Sequence, residues 1–395
     1  MVIFGNMVVY IIMICAIVGA VASIVKKDSE LGEQFLEGLN SIGAIFLPVA
    51  GIMAALPYLT QIVSNIFGPI FDKVGADPAM AATTFIAVDM GGYQLADALA
   101  QTRESWIMAT MTGYMAGATI VFSIPIALKM LQLEDRKYLA LGVLSGFISI
   151  PFGVLVGSLF IALSSPVIRE VISTNSEATY QLALGYGQIL QNLIPLFIIC
   201  ALIAMGLIVI PDKMIKGFNV FGKIVDSALR IIVVLCVVEY FTGVFSTIFG
   251  GWGFEPIIAD AEDVNRALEV SGAIGMMLCG AFPMVYLIKK YLAKPINVIG
   301  KKLGLSKDTT TGILAGAANA LALFVIIKDM RPEDKVKTLA FSVCGAFMFG
   351  DHLAFTANYQ PTLILPVMVG KFCAAILSVM IATKLIIPRM EKIAK

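Results

Sequence analysis

The sequence predicts an all-α polytopic membrane protein of about nine transmembrane helices plus two re-entrant hairpins, eleven helical segments in all, with an inverted-repeat architecture. Three observations predict it. The 395 residues are 59% hydrophobic and only 14% charged, with a mean hydropathy of +0.91, whereas soluble domains carry about 25% charged residues. Apolar runs of about 20 residues, enough to cross a bilayer as a helix, recur from end to end. The chain also reads as one segment written twice. Gly43-Ala44-Ile45 with Gly51 returns 229 residues later as Gly272-Ala273-Ile274 with Gly280, and Gly75 returns as Gly304. At slightly shorter offsets Gly117-Ala118 matches Gly345-Ala346, Leu141 matches Leu365, and Gly146 matches Gly370. The repeats cover approximately residues 39–165 and 267–387, joined by a linking region 166–266, within one integral membrane domain.

The apolar segments lie at 7–25, 39–66, 79–101, 105–131, 137–165, 181–210, 223–250, 267–291, 308–328, 335–357 and 362–387. The first is too long for a signal-peptide core and lacks a charged leader and a small-residue cleavage site, so it reads as a retained span. Basic residues cluster after the first segment (Lys26, Lys27), between the fourth and fifth (Lys129, Arg136, Lys137), and between the sixth and seventh (Lys213, Lys216, Lys223). They cluster again between the eighth and ninth (Lys289 to Lys307), between the ninth and tenth (Lys328 to Lys337), and at the end (Arg389, Lys392, Lys395). The stretch before Arg266 is acidic: Glu255, Asp260, Glu262, Asp263. Basic loops face the cytoplasm. Eleven full crossings put them on both sides. If the third and ninth segments leave and return on one side, every basic loop becomes cytoplasmic, with the N-terminus outside and the C-terminus inside. Asp89-Met90-Gly91-Gly92 interrupts the third segment, and Gly312, Gly316 and Asn319 interrupt the ninth. Eleven crossings with those two as broken helices is the competing arrangement. The hairpin arrangement inverts the repeats, brings the tips near Asp89 and Asn319 to the midplane, and implies an alternating-access carrier.

Ionisable groups inside spans are costly and usually face an interior path. Asp89 sits at the first hairpin tip, either as a carboxylate for a cation or proton or as a cap for a helix starting near Met90. Asp97 reads as part of a solvated hairpin arm. Asp351 precedes His352, the one histidine of the chain, in the outer third of the tenth segment. Asp351 either holds substrate or sets the tautomer of His352, and a buried pair with Lys371 is within reach. Asp226 and Arg230, at i and i+4, are expected to pair, and Glu239 reads as structural. Asn319 marks the second tip, as a ligand or a turn residue. Tyr93, Tyr114, Phe122 and Phe349 flank these groups and suit an ammonium ion.

Some classes are excluded. No P-loop, GxSxG element or zinc-spaced His/Cys set occurs, so no cofactor or metal is expected. The six cysteines lie in apolar runs without a CxxC and read as free thiols. The net charge of +1 says nothing about nucleic acid, and no basic cluster with interleaved aromatics appears. An intramembrane protease dyad of Asp89 and Asp351 is the enzymatic alternative, weakened by Met348 where a second glycine would stand. A sensor without flux is another.

Several stretches together resemble the EutH-type ethanolamine-utilisation permeases of bacteria over nearly the whole chain. They are Gly68-Pro69, Gly75-Ala76-Asp77-Pro78, Asp89-Met90-Gly91-Gly92, the run Gly117 to Pro125, Arg136 to Val143, Gly345-Ala346, Gly350-Asp351-His352-Leu353 and Val369-Gly370-Lys371. The resemblance implies a bacterial inner-membrane protein that takes up ethanolamine for a microcompartment ammonia-lyase pathway. Ethanolamine is mostly a protonated amine at neutral pH. Asp89 is then the ammonium partner, aided by the C-terminal dipole of the first hairpin arm, while Thr119, Ser123 and Asn319 meet the hydroxyl. Another small amine or a nucleoside-like solute stays open as cargo. Membrane lipids are expected around the bundle, and the first, sixth and seventh segments offer a face for a homo-oligomer.

Overall fold

The computed structural model describes residues 1–26, 28–255, 263 and 265–390. Lys27, Asp260, Glu262, Lys392 and Lys395 lie outside the described residues. The first half comprises α1 (Val2–Val25), α2 (Glu30–Asn40), α3 (Ile42–Ala54), α4 (Leu56–Asp72), α5 (Ala79–Phe85), α6 (Gly92–Leu99), α7 (Arg103–Thr112), α8 (Ile124–Met130) and α9 (Arg136–Ser164). A π-helical stretch, Gly113–Ser123, joins α7 to α8. A two-residue ribbon, β1 (Val167–Ile168) with β2 (Tyr180–Gln181), leads to α10 (Tyr186–Val209), α11 (Pro211–Thr242) and α12 (Val244–Phe249). The second half comprises α13 (Arg266–Lys302), α14 (Lys307–Ala318), α15 (Ala320–Ile326), α16 (Pro332–Gly345), α17 (Asp351–Tyr359) and α18 (Ile364–Ile381).

Seven helices among the described residues are long and apolar enough to cross a membrane: 2–25, 30–54, 103–130, 133–164, 186–209, 266–302 and 361–389. The chain is thus an all-α polytopic membrane protein. Two further stretches run alongside them. The helix α11 carries too many charges to qualify by composition. The pair α16–α17 is broken in the middle but follows α9 along its length. Lys335, on the first turn of α16, pairs with Asp135 at 2.6 Å beside the start of α9. Gln360, after α17, bonds Arg169 just beyond the end of α9.

Hydropathy located the spans but not the helix ends, because a helix continues past the lipid as long as its backbone is capped. The segment expected at 39–66 is two helices. One, α2–α3, starts at Glu30, where the Ser29 hydroxyl accepts the Gly32 N–H and Glu30 and Glu33 occupy the first turn. The other, α4, begins after a turn at Ala55. The helix α11 starts at Pro211 rather than 223, since proline suits a first turn, so Lys213, Lys216 and Lys223 ride on a helix. Similarly α13 continues to Lys302.

The third and ninth segments fold back on themselves, and an aspartate closes each. The Asp77 carboxylate accepts the Ala79 N–H (2.9 Å) and the Gln101 N–H (2.8 Å), tying both ends of the first hairpin together. The Asp77 N–H in turn donates to Asn192 on α10 (2.8 Å). In the second hairpin the Asp334 carboxylate accepts the Ser306 hydroxyl (2.7 Å) and the Thr309 hydroxyl (2.6 Å). Each segment therefore returns to the end of the bundle it left, which eleven full crossings do not allow. The first hairpin is rooted near the Ser164 end of α9, where Glu104 accepts from Tyr180 and Ala183. The second is rooted at the Asp135 end.

Small residues let the central helices close on one another. A Cβ on Gly142 would sit 2.5 Å from Leu339 Cβ, one on Gly146 2.2 Å from Val343 Cβ, and one on Gly370 2.8 Å from the Gly153 carbonyl oxygen. Large apolar side chains instead project outward from α1 (Ile3, Ile17), α10 (Leu190, Leu202) and α11 (Ile224, Ile231). Five cysteines are buried and Cys373 is exposed; all six are free thiols. Asp226 and Arg230 pair as expected, at 3.0 Å. Glu239 caps the turn into α12 by accepting the Phe245 N–H at 2.8 Å.

Candidate substrate cavity

The first tip is a single tight turn. Val88–Met90 forms one helical turn, and Gly91 reverses the chain at φ +90°. Glycine is required there twice over: the backbone is left-handed, and a Cβ would lie 2.5 Å from Ile52 Cβ. The following helix, α6, begins at Gly92 with no side-chain cap. Asp89 is therefore not a helix cap, and its carboxylate faces a cavity. At the second tip Asn319 is extended and its Oδ1 accepts the Leu321 N–H at 2.8 Å, capping α15.

Opposite each tip, a helix gives up regular winding. Gly117, in the π-helical stretch, packs so tightly on the first tip that a Cβ would lie 2.2 Å from the Ile86 carbonyl oxygen. Facing the second tip, the chain unwinds between Ala346 and Gly350. The N–H groups of Phe347 and Phe349 donate to the carbonyls of Gly316 (3.1 Å) and Ala317 (2.9 Å), the last turn of α14. Irregular backbone inside a membrane protein survives when protein satisfies it in this way.

Between the tips lies a cavity of about 420 Å³. Its polar wall is Glu37, Asn40, Ser41, Asp89, Asn319, Asp351 and His352. Phe122, Phe282 and Phe347 supply aromatic faces. Three carboxylates line it, and no lysine or arginine does among the described residues. Carboxylates gathered around one cavity repel one another, so the site favours a positively charged guest. Toward the Ser164 end it is sealed by a buried aromatic layer: Tyr93 packs on Trp106 (4.7 Å between centroids), Tyr359 (4.7 Å) and Phe355 (5.5 Å). Arg169 latches this layer by donating to the carbonyls of Asn358 (2.5 Å) and Tyr359 (2.8 Å).

Of the expected site residues, Asp89, Asn319, Asp351 and His352 come together in the cavity. Thr119, Ser123 and Tyr93 do not line it. The Thr119 hydroxyl is buried and shared between the Met115 (2.7 Å) and Val343 (3.0 Å) carbonyls, because a threonine on a packed helix satisfies its donor locally. Tyr93 lies in the sealing layer and accepts from Gln360 at 2.9 Å. Asp351 does not set His352. Adjacent residues at a helix start point apart, and His352 Nε2 instead faces Asp89 Oδ2 at 3.9 Å, its ring edge-on to Tyr114. The expected Asp351–Lys371 pair is not formed either; Lys371 Nζ donates to the Tyr114 carbonyl at 3.0 Å. Asp97 is not simply solvated but pairs with Arg103. Phe347, rather than Phe349, reaches the cavity. Glu37 falls outside the segment expected from residue 39, while Asn40 and Ser41 lie inside it and carry no charge to single them out. The Ser29 cap with its acidic first turn is the signal that extends the helix to Glu37.

These features define a class first: a polytopic, all-helical membrane protein whose two hairpins meet at one acidic cavity. The family described as "Ethanolamine utilisation protein, EutH" matches residues 4–385. The chain is 38% identical to a protein of Listeria monocytogenes named "Probable ethanolamine permease EutH", covering 98% of this chain and 96% of the relative. A Salmonella typhimurium protein of the same name is 37% identical, over 91% of this chain and 87% of its own. A Bacillus subtilis relative, "Uncharacterized protein YxeR", is 33% identical over 88% and 85%. The chain belongs to the EutH family. No solved structure matches it significantly.

Proposed function

We propose that this chain takes up ethanolamine, as the protonated amine, across the bacterial inner membrane and so supplies ethanolamine catabolism. One observation carries the reading: three carboxylates, Glu37, Asp89 and Asp351, line the cavity between the hairpin tips with no lysine or arginine among the described lining residues. Asp89 and Asp351 hold the ammonium group, and the carbonyl end of α5 adds its dipole. The aromatic faces of Phe122, Phe282 and Phe347 suit the same charge. Asn319 and His352 are the groups in reach of a hydroxyl. The relatives' names supply the particular amine.

The transport cycle is alternating access between inverted repeats, approximately 39–165 and 267–387. Support comes from hairpins rooted at opposite ends of α9 and from tips that converge on one cavity. The basic clusters put the Asp135 end in the cytoplasm, with the N-terminus outside and the C-terminus inside. In that orientation the sealed aromatic layer is external, and the conformation is inward-facing. The outward apolar faces of α1, α10 and α11 meet lipid or a second copy of the chain.

The test is uptake of labelled ethanolamine into sealed proteoliposomes at acidic pH, where little uncharged amine leaks through lipid. Uptake above empty vesicles, lost in folded Asp89→Asn, supports the reading. Equal uptake by both moves the ammonium site away from Asp89. No uptake by wild type overturns the carrier.

A further inference from the structure

Lys371 is 1% exposed in the body of α18, and the substrate site described above makes no use of it. A buried ammonium group has three donors to satisfy, and an unpaired one is costly in a membrane protein. Here one partner is a backbone carbonyl, that of Tyr114 at 3.0 Å. Tyr114 in turn stands edge-on to His352 at 5.0 Å, and His352 Nε2 faces Asp89 Oδ2 at 3.9 Å, so Lys371 lies behind the Tyr114–His352 pair that backs the first tip. Asp89 is the carboxylate on the far side of that pair, and no ion pair joins it to Lys371. Asp351 instead shares the cavity with Asp89 and, from α2, Glu37. Lys371 thus stands behind the site, near enough to act on Asp89 and held back by the Tyr114 carbonyl, so the cavity face of Asp89 stays open.

This arrangement has a use in the part of the cycle that carries no substrate. When the empty carrier reorients, Asp89 passes through a sealed state with no guest cation, and an uncompensated buried carboxylate costs several kcal/mol. We infer that Lys371 is the resident counter-cation of the carrier: it balances Asp89 when the site is empty and yields that role to the ammonium group of the substrate. The inference rests on the ammonium-site reading above. It makes Lys371 a competitor of the substrate and a requirement for the empty return step alone.

The experiment compares wild type, Lys371→Met and Lys371→Met/Asp89→Asn, measuring ethanolamine binding in detergent and two fluxes in proteoliposomes. One flux is net uptake, which needs the empty return. The other is exchange of labelled for unlabelled ethanolamine, which does not. Lys371→Met is expected to bind ethanolamine at least about tenfold more tightly, the scale of a Coulomb attraction across about 12 Å or less at an effective dielectric of about 20, to keep exchange and to lose net uptake. Weaker binding with both fluxes lost in folded protein overturns the inference and leaves Lys371 a packing residue. If Lys371→Met unfolds, the double variant decides: recovery of its melting temperature supports charge balance, and no recovery overturns it. Failure of wild type to bind or exchange ethanolamine would instead sink the ammonium-site reading.

Discussion

The two hairpins are built alike and equipped differently. Each is tied at its root by an aspartate, Asp77 or Asp334. Each tip abuts a glycine whose Cβ would strike backbone: Gly117 against the Ile86 carbonyl at 2.2 Å, Gly350 against the Ala318 carbonyl at 2.4 Å. The first tip carries a carboxylate, and the helix facing it only widens into a π-helical stretch. The second tip carries an amide, and the helix facing it breaks, with Phe347 held at φ +59°, a strained conformation for a bulky residue. That break starts α17 at the cavity, sets His352 opposite Asp89 and brings Asp351 to the same wall. One half brings its charge on the hairpin, the other on the broken helix, so the acidic site exists only where the halves meet.

The largest test of this asymmetry is to compare the tips. Asp89→Asn should lower uptake about a hundredfold, as removal of one partner from a buried charge pair does. Asn319→Ala should cost under about tenfold, the loss of a cap and one neutral hydrogen bond. Equal losses, measured as initial uptake rates at matched protein density, would mean that the tips share the substrate evenly.

Next come the glycines. Gly117→Val and Gly350→Val should each destabilise the fold by about 1–3 kcal/mol through overpacking against backbone, read as a lower melting temperature in detergent. If one is tolerated, that tip does not dock as drawn and the two halves close differently.

Similar in size but more local are the root clasps. Asp77→Ala and Asp334→Ala each remove several hydrogen bonds to a carboxylate, at about 1–3 kcal/mol. Both should speed amide exchange or protease cleavage at their own hairpin and leave the other hairpin unchanged. Loosening of both by one substitution would break the picture of independently rooted hairpins.

Much of this was legible in the chain. The glycines that interrupt the third and ninth segments marked hairpins or broken helices, and the lysine pattern favoured a return of each to its own side. Asp89 stood out because a carboxylate inside an apolar run has few inexpensive explanations. The second half of the site was harder. Gly350-Asp351-His352 was visible as polar, but an unbroken segment puts it in the outer third, and only the unwinding after Gly345 brings it opposite Asp89. Thr119 illustrates the reverse error: a hydroxyl near the right depth, already bonded to the Met115 and Val343 carbonyls.

By itself the sequence determined the membrane class, the approximate places of the apolar segments, the two candidates for fold-back and the presence of a few intramembrane charges. Those follow from the preference of each residue for lipid, water or a turn, which acts locally and can be read along the chain. The tertiary structure alone decided which charges share a cavity: that Glu37 joins Asp89 and Asp351, that His352 faces a distant aspartate rather than its neighbour, and that Lys371 stands behind the site. Those depend on how closely helices far apart in sequence can approach, which glycines and backbone carbonyls set jointly across the packed bundle.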